Sequence, residues 1–112
     1  VQIHGVDGLD QLAVQIVRFV DDAQRGVVAC EFEDANGRRH TLIDKVPIFT
    51  DMILDANSIY PQTGSARCEI LRRWKDVTGR ELLRVTTAKP DDIMSMEDLS
   101  EFVVLLSQIS GA

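Results

Sequence analysis

Val27-Val-Ala-Cys-Glu-Phe-Glu-Asp34-Ala-Asn-Gly37-Arg-Arg-His-Thr-Leu-Ile-Asp-Lys-Val46 is the stretch on which the fold turns. Val28, Cys30 and Phe32 alternate with Ala29, Glu31 and Glu33. That is the period of a strand with one face buried and one face wet. Asp34-Ala35-Asn36-Gly37 follows, with Asp at the first position and Gly at the fourth. Such a sequence suits a type I turn ending in a left-handed residue, the common bulged hairpin. Arg38 to Val46 then returns as the partner strand.

Further along the chain the pattern recurs. Cys30-Glu31 is echoed by Cys68-Glu69, and Asp34-x-x-Gly37-Arg38 by Asp76-x-x-Gly79-Arg80; the return strands run to Pro47 and Pro90. Ala66–Lys75 and Arg80–Ala88 therefore read as a second hairpin of the D-x-x-G-R type. Ala66, Cys68, Ile70 and Trp74 are expected on one face, interrupted by Arg72, where Leu83 and Val85 meet them. Two copies do not make a solenoid. They read as two hairpins answering the same steric demand.

Between the hairpins, residues 48–64 include Asn57-Ser58 and Pro61 and follow Pro47. Thr50 would cap one helical turn over Asp51 to Ala56. Otherwise the segment is a connecting loop over one end of a barrel, and loops of this length are often functional.

The two ends carry mixed signals. Leu9, Leu12, Ala13, Ile16, Val17 and Val20 follow helical spacing, as do Leu99, Phe102, Val103, Leu106 and Ile109. Ser95-Met-Glu-Asp98 before the latter has the form of an acidic capping box. Yet 14–20 and 102–106 are rich in β-branched and aromatic residues. Ala13–Asp21 is read as a strand leading through a turn at 22–26 into Val27, and Glu101–Ser107 as a further strand, with Leu9 to Gln11 a loose lead-in. The fold class is thus all-β, a small antiparallel barrel or strongly curved sheet of five to six strands in one domain over 1–112. An α+β fold with terminal helices is the alternative.

The chain has 45% hydrophobic and 27% charged residues, a globular balance. No apolar run approaches the roughly 20 residues that cross a bilayer. Val1 to Leu12 carries Asp7 and Asp10 and neither Lys nor Arg, unlike a signal peptide's basic start; a cytoplasmic location and no membrane contact are expected.

Net charge is −6, which argues against a nucleic-acid partner. The charge is segregated: residues 1–34 carry −5, 67–89 carry +4 and 90–112 carry −5. The reading adopted is that a basic central hairpin is neutralised by acidic neighbours. Cys30 and Cys68, in strand-like runs and outside any CxxC pair, read as two buried free thiols. With His4 and His40 far apart in sequence, no zinc spacing arises.

Catalytic motifs are missing. Gly5-Val-Asp-Gly8 lacks the third glycine and the lysine of a phosphate-binding loop, and neither Ser65 nor Ser107 has a histidine near it in sequence. His40 would need a carboxylate to act as a base, with Glu31 or Glu33 across the hairpin as the candidates; the plainer reading is a surface histidine paired to one of them. Asp91, Asp92, Glu97 and Asp98 lack the glycine and ligand spacing of a calcium loop and read as a solvated acidic loop. Met52, Met94 and Met96 read as gap-fillers. Tyr60 and Trp74 are candidate interface anchors, Trp74 more simply a core or rim residue. With Arg72, Arg73 and His40 they make up the candidate interaction residues.

These readings point to a non-catalytic binding or protein-interaction module, without cofactor or metal, whose partner is another protein; a homo-oligomer is compatible. A narrower version is an acidic inhibitor of a basic protein, of the immunity or antitoxin type. The contrasting class is a small ligand-binding barrel or enzyme with a pocket under the 48–64 loop.

Overall fold

Leu12, Val14 and Ile16 are buried while Gln11, Ala13 and Gln15 between them are exposed, so the first ordered segment is a strand, β1 (Asp10–Asp21). The computed structural model describes residues 10–23 and 26–111. Helical spacing loses here because the β-branched residues Val14, Ile16, Val17 and Val20 pack well on a pleated surface, and because both edges of β1 find partners. Its first half pairs with β4 (Gln62–Lys75) and its second half with β2 (Val27–Glu33). β1 starts three residues before the expected Ala13, so Asp10 and Gln11 belong to the strand; Leu9, His4 and the Gly5–Gly8 motif lie outside the described residues.

The first hairpin forms as its pattern requires. β2 pairs with β3 (Arg39–Lys45) in a register that sets Phe32 opposite His40 and Glu33 opposite Arg39. The second hairpin joins β4 to β5 (Glu81–Thr86). Its turn repeats the first almost bond for bond. Asp34 Oδ1 accepts the N–H groups of Asn36 and Arg38 at 2.9 and 3.0 Å; Asp76 Oδ1 accepts those of Thr78 and Arg80 at 2.9 and 3.0 Å. Gly37 and Gly79 sit at φ 81° and 89°, where a side chain is strained. The two turns differ in their surroundings: Ala35 is buried, whereas Val77 at the same turn position is fully exposed.

The sheet is antiparallel, in the order β3-β2-β1-β4-β5-β6, with β6 at Glu101–Leu105, and it curls into a half-barrel. Strands β1 to β3 are hairpin-connected and β4 returns to lie beside β1, a Greek key. The return must cross two strands, which is why the chain between β3 and β4 is long. It starts with a single helical turn, α1 (Val46–Phe49), that has Pro47 in its first turn. Proline is favoured there, since the first N–H groups of a helix have no intrahelical acceptor. The turn thus precedes Thr50 instead of following it: Thr50 is the C-cap, and 51–56 are not helical.

The C-terminal part is likewise extended. β6 ends at Leu105, short of the expected Ser107; a 3₁₀ turn over Leu106–Gln108 leads into β7 (Ile109–Ser110), which pairs with Gln11 and Leu12 of β1. Ser95 caps no helix. Its Oγ accepts the N–H groups of Glu97 and Leu99 at 3.2 and 3.1 Å in a tight turn, so the alternative with terminal helices does not hold.

The outer strands β3 and β6 are drawn together by loops. Ala35 N–H donates to Val103 O at 2.8 Å, Met96 N–H to Thr41 O at 3.0 Å, and the Gln108 amide to Glu33 O at 2.7 Å. Arg80 of the second turn donates to Ala35 O of the first at 3.0 Å. Inside the curl lies one core that includes Leu12, Ile16, Val28, Leu42, Leu83, Val85 and Val104. Cys30 and Cys68 are free and fully buried within it. Among the described residues no helix is long and apolar enough to cross a membrane.

Candidate functional site

The Greek-key return at 46–61 is held in place from both sides. Val46, Phe49 and Leu54 are buried in the core, and α1 lies against β4 at Gly64. A Cβ on Gly64 would stand 2.9 Å from Ile16 Cδ1 and 3.0 Å from Phe49 O, so any side chain here would crowd both. Beyond α1 the chain bonds to itself. Thr50 Oγ1 accepts the Met52 N–H at 3.1 Å. Asp55 Oδ1 accepts the Asn57 N–H at 2.8 Å, Ser58 Oγ accepts the Asp55 N–H at 2.9 Å, and the Tyr60 hydroxyl donates to Asp55 O at 2.8 Å.

This tied segment nevertheless turns large apolar side chains to solvent. Ile53 is 95% exposed, Ile59 83% and Met52 56%. Beside them a trough of about 530 Å³ opens between Val46, Pro47, Thr50, Asp51, Met52 and Ile53. A second, more polar trough of about 430 Å³ runs from 47–51 across Gln11, Ser65 and Arg67 on the outer face of β1 and β4. There the Ser65 hydroxyl donates to Gln11 Oε1 at 2.6 Å, and Arg67 is gripped by Asp91 at 2.7 and 3.1 Å. From 46 to 61 the only charged residues are Asp51 and Asp55.

His40 is placed quite differently from the expected surface pair. It shares the core face with Phe32, is 3% exposed, and sits between the rings of Phe32 and Phe102 at centroid distances of 5.2 and 4.8 Å. Glu31 and Glu33 face the other way and pair with Arg39. The partner of His40 is Asp34, whose Oδ2 accepts from Nε2 at 2.8 Å. Burial pushes the Asp34 carboxyl up, but the His40 hydrogen bond and the Arg38 and Asn36 N–H groups outweigh it and hold the carboxyl below its usual range. An Asp-oriented histidine has the form of a general base, but Nδ1 is sealed from solvent without a hydrogen bond, 3.7 Å from Glu97 Oε1. The pair packs into the seam between β3 and β6, with the His40 ring against Phe102.

The basic hairpin is largely neutralised by local pairs. Arg73 meets Glu81 at 2.9 Å, Arg80 meets Asp76 at 2.8 Å, and Arg84 meets Glu101 at 3.4 Å. The Thr78 hydroxyl, followed by the Arg80 guanidinium, holds the Asp76 carboxyl well below its usual range. A bulge at Leu71 breaks the register between Ile70 and Arg72. It moves Trp74 off the core face: Trp74 lies opposite Leu82 on the outer side, half-buried, with the Arg72 guanidinium 4.7 Å above its ring. Tyr60 is half-buried and packs against the core.

The acidic loop disperses: Asp91 goes to Arg67 and Glu97 to Arg38. Among the described residues no three His, Cys, Asp or Glu side chains gather as a metal site. The methionines do not fill gaps; Met94 and Met96, like Met52, are exposed. Sequence reasoning singled out the loop but passed over Ile53 and Ile59. Their signal was faint: large apolar residues flanking the turn formers Asp55 to Ser58, with no period to bury them.

Comparison with family models, with curated proteins and with solved structures finds no match to this chain.

Proposed function

We propose that the domain is a non-catalytic protein-interaction module whose contact surface is the 46–60 segment. The observation that carries this reading is the pairing of rigidity with exposure: Ile53 and Ile59 stand in solvent on a segment tied to the core and to itself. Apolar side chains held ready in this way lose little conformational freedom on binding, which favours affinity. Asp51 and Asp55 beside them, and the overall charge of −6, favour a basic partner surface. An acidic inhibitor of a basic protein is the narrower form of the same reading. The test is a photo-crosslinking residue at position 53 in the native host. One discrete adduct is expected there and none from position 31, a β2 residue that faces away from the core and lies outside the loop; equal labelling from both positions would count against the loop.

A second reading keeps the polar trough as a small-molecule site, since about 430 Å³ lies within the range of ligand pockets. It requires Ser65 and Gln11 to give up their mutual hydrogen bond. Ser65→Ala should then abolish ligand binding and leave partner binding intact.

A further inference from the structure

The buried pair of His40 and Asp34 leaves one atom over. With Nε2 donating to Asp34 Oδ2 at 2.8 Å, Nδ1 carries a lone pair, and it is buried without a hydrogen bond. What it faces is another acceptor, Glu97 Oε1 at 3.7 Å. Two acceptors so placed do not bond, and a buried nitrogen left bare costs stability. A proton on Nδ1 turns the same atom into a donor aimed at a carboxylate.

Glu97 is held where such a donor could use it. It belongs to the 95–99 turn, where the Ser95 N–H donates to Leu99 O at 2.7 Å and the Met96 N–H to Thr41 O of β3 at 3.0 Å. Arg38 takes its other oxygen, Oε2, at 3.2 Å, which leaves Oε1 for the histidine. A closure of about 1 Å brings Oε1 to the length of a charge-assisted hydrogen bond. The other charges on the elements around the ring are spent elsewhere. Glu31 and Glu33 of β2 go to Arg39, and Glu101 of β6 goes to Arg84. Arg80 of the second turn goes to Asp76 and to Ala35 O. Phe32 and Phe102, on either side of the ring, bring no charge. A protonated His40 thus meets one carboxylate at each nitrogen, which offsets the cost of burying its charge.

We propose that Asp34, His40 and Glu97 form a proton-operated latch between β3 and the loop that precedes β6. With Nδ1 bare the latch is half made, through Asp34 alone. As pH falls, Nδ1 takes a proton, donates a hydrogen bond to Glu97 and ties the 95–99 turn down on β3. Asp34 keeps its charge throughout, because its carboxyl is held below the usual range.

Nitrogen NMR of the His40 ring from about pH 8 to pH 5 tests this. Protonation at Nδ1 is expected within that range, with the Glu97 carboxyl carbon shifting at the same midpoint and the Met96 amide gaining protection from exchange. Glu97→Gln, at a half-exposed position, should lower the His40 midpoint by roughly half a pH unit or more and abolish the gain in protection. Asp98→Asn removes an exposed charge from the same turn and should leave the midpoint in place. A ring that stays neutral throughout, a midpoint shared by the wild type and Glu97→Gln, or an equal drop in both variants would each overturn the latch. Should Glu97→Gln melt early, the wild-type Glu97 carboxyl decides: a shift at the His40 midpoint supports the latch, and silence there overturns it.

Discussion

Asp34 shows how much one side chain holds together. It caps its own turn through two N–H groups and fastens His40 through the third hydrogen bond. Asp34→Ala is expected to cost about 2–4 kcal/mol, since it also leaves a buried histidine nitrogen bare. Asp76→Ala, in a matching turn without a buried histidine, should cost clearly less in the same urea melts; equal losses would remove His40 from the account. Both carboxyls lie below their usual values in the folded chain. The stability they add is therefore complete above the ordinary carboxylate pKa of about 4 and is lost as pH falls through the lower folded values. Unfolding midpoints should fall steeply below pH 4, and less steeply in Asp34→Asn.

The thiols behave in the opposite sense. Burial pushes Cys30 up to about 12, and burial with the Asp10 charge does the same for Cys68. Both stay protonated at neutral pH and should react with a thiol reagent only after unfolding. Rapid labelling in native buffer would contradict their burial. At this scale the sequence was legible for the cysteines and misleading for His40. Register decides the matter: with Glu33 opposite Arg39, the next inward residue, His40, must face Phe32 and not the glutamates.

The strands and hairpins could be read from the chain because turn chemistry and alternation are local. Gly37→Ala and Gly79→Ala should each cost on the order of 1 kcal/mol, through backbone strain alone, because neither site would crowd an added methyl. Val77→Ala, in open solvent, is the control and should be neutral; a loss as large as that at Gly79 would argue against the turn assignment.

What could not be read were features set by distant neighbours. The bulge that turns Trp74 outward and the end of β6 at Leu105 depend on contacts across the sheet, whereas the place of α1 before Thr50 follows from Pro47, a local signal. Gly64 is the sharpest instance, an ordinary glycine in sequence that in the fold admits the backbone of α1. Gly64→Ala should cost about 1–3 kcal/mol by overpacking. Hydrogen exchange should also quicken across 46–60 before it does elsewhere; uniform exchange would mean that α1 is not seated there.

Across the whole molecule, charge segregation in the sequence becomes charge pairing in space, with Arg67 and Arg84 drawn to Asp91 and Glu101 of the acidic C-terminal segment. The domain should therefore fail to bind DNA or RNA at physiological salt, and Arg72→Ala with Arg73→Ala should change nothing in that titration. Tight, salt-sensitive binding lost in the double variant would make this an anion-binding surface instead. Ile53 and Ile59, by contrast, stand exposed without a charge partner on the Greek-key return. The most direct test of their role is to replace Ile53 and Ile59 by Ser together and measure affinity for the partner crosslinked at position 53, alongside thermal stability. Binding at least tenfold weaker with an unchanged melting temperature is expected; unchanged affinity would contradict the account.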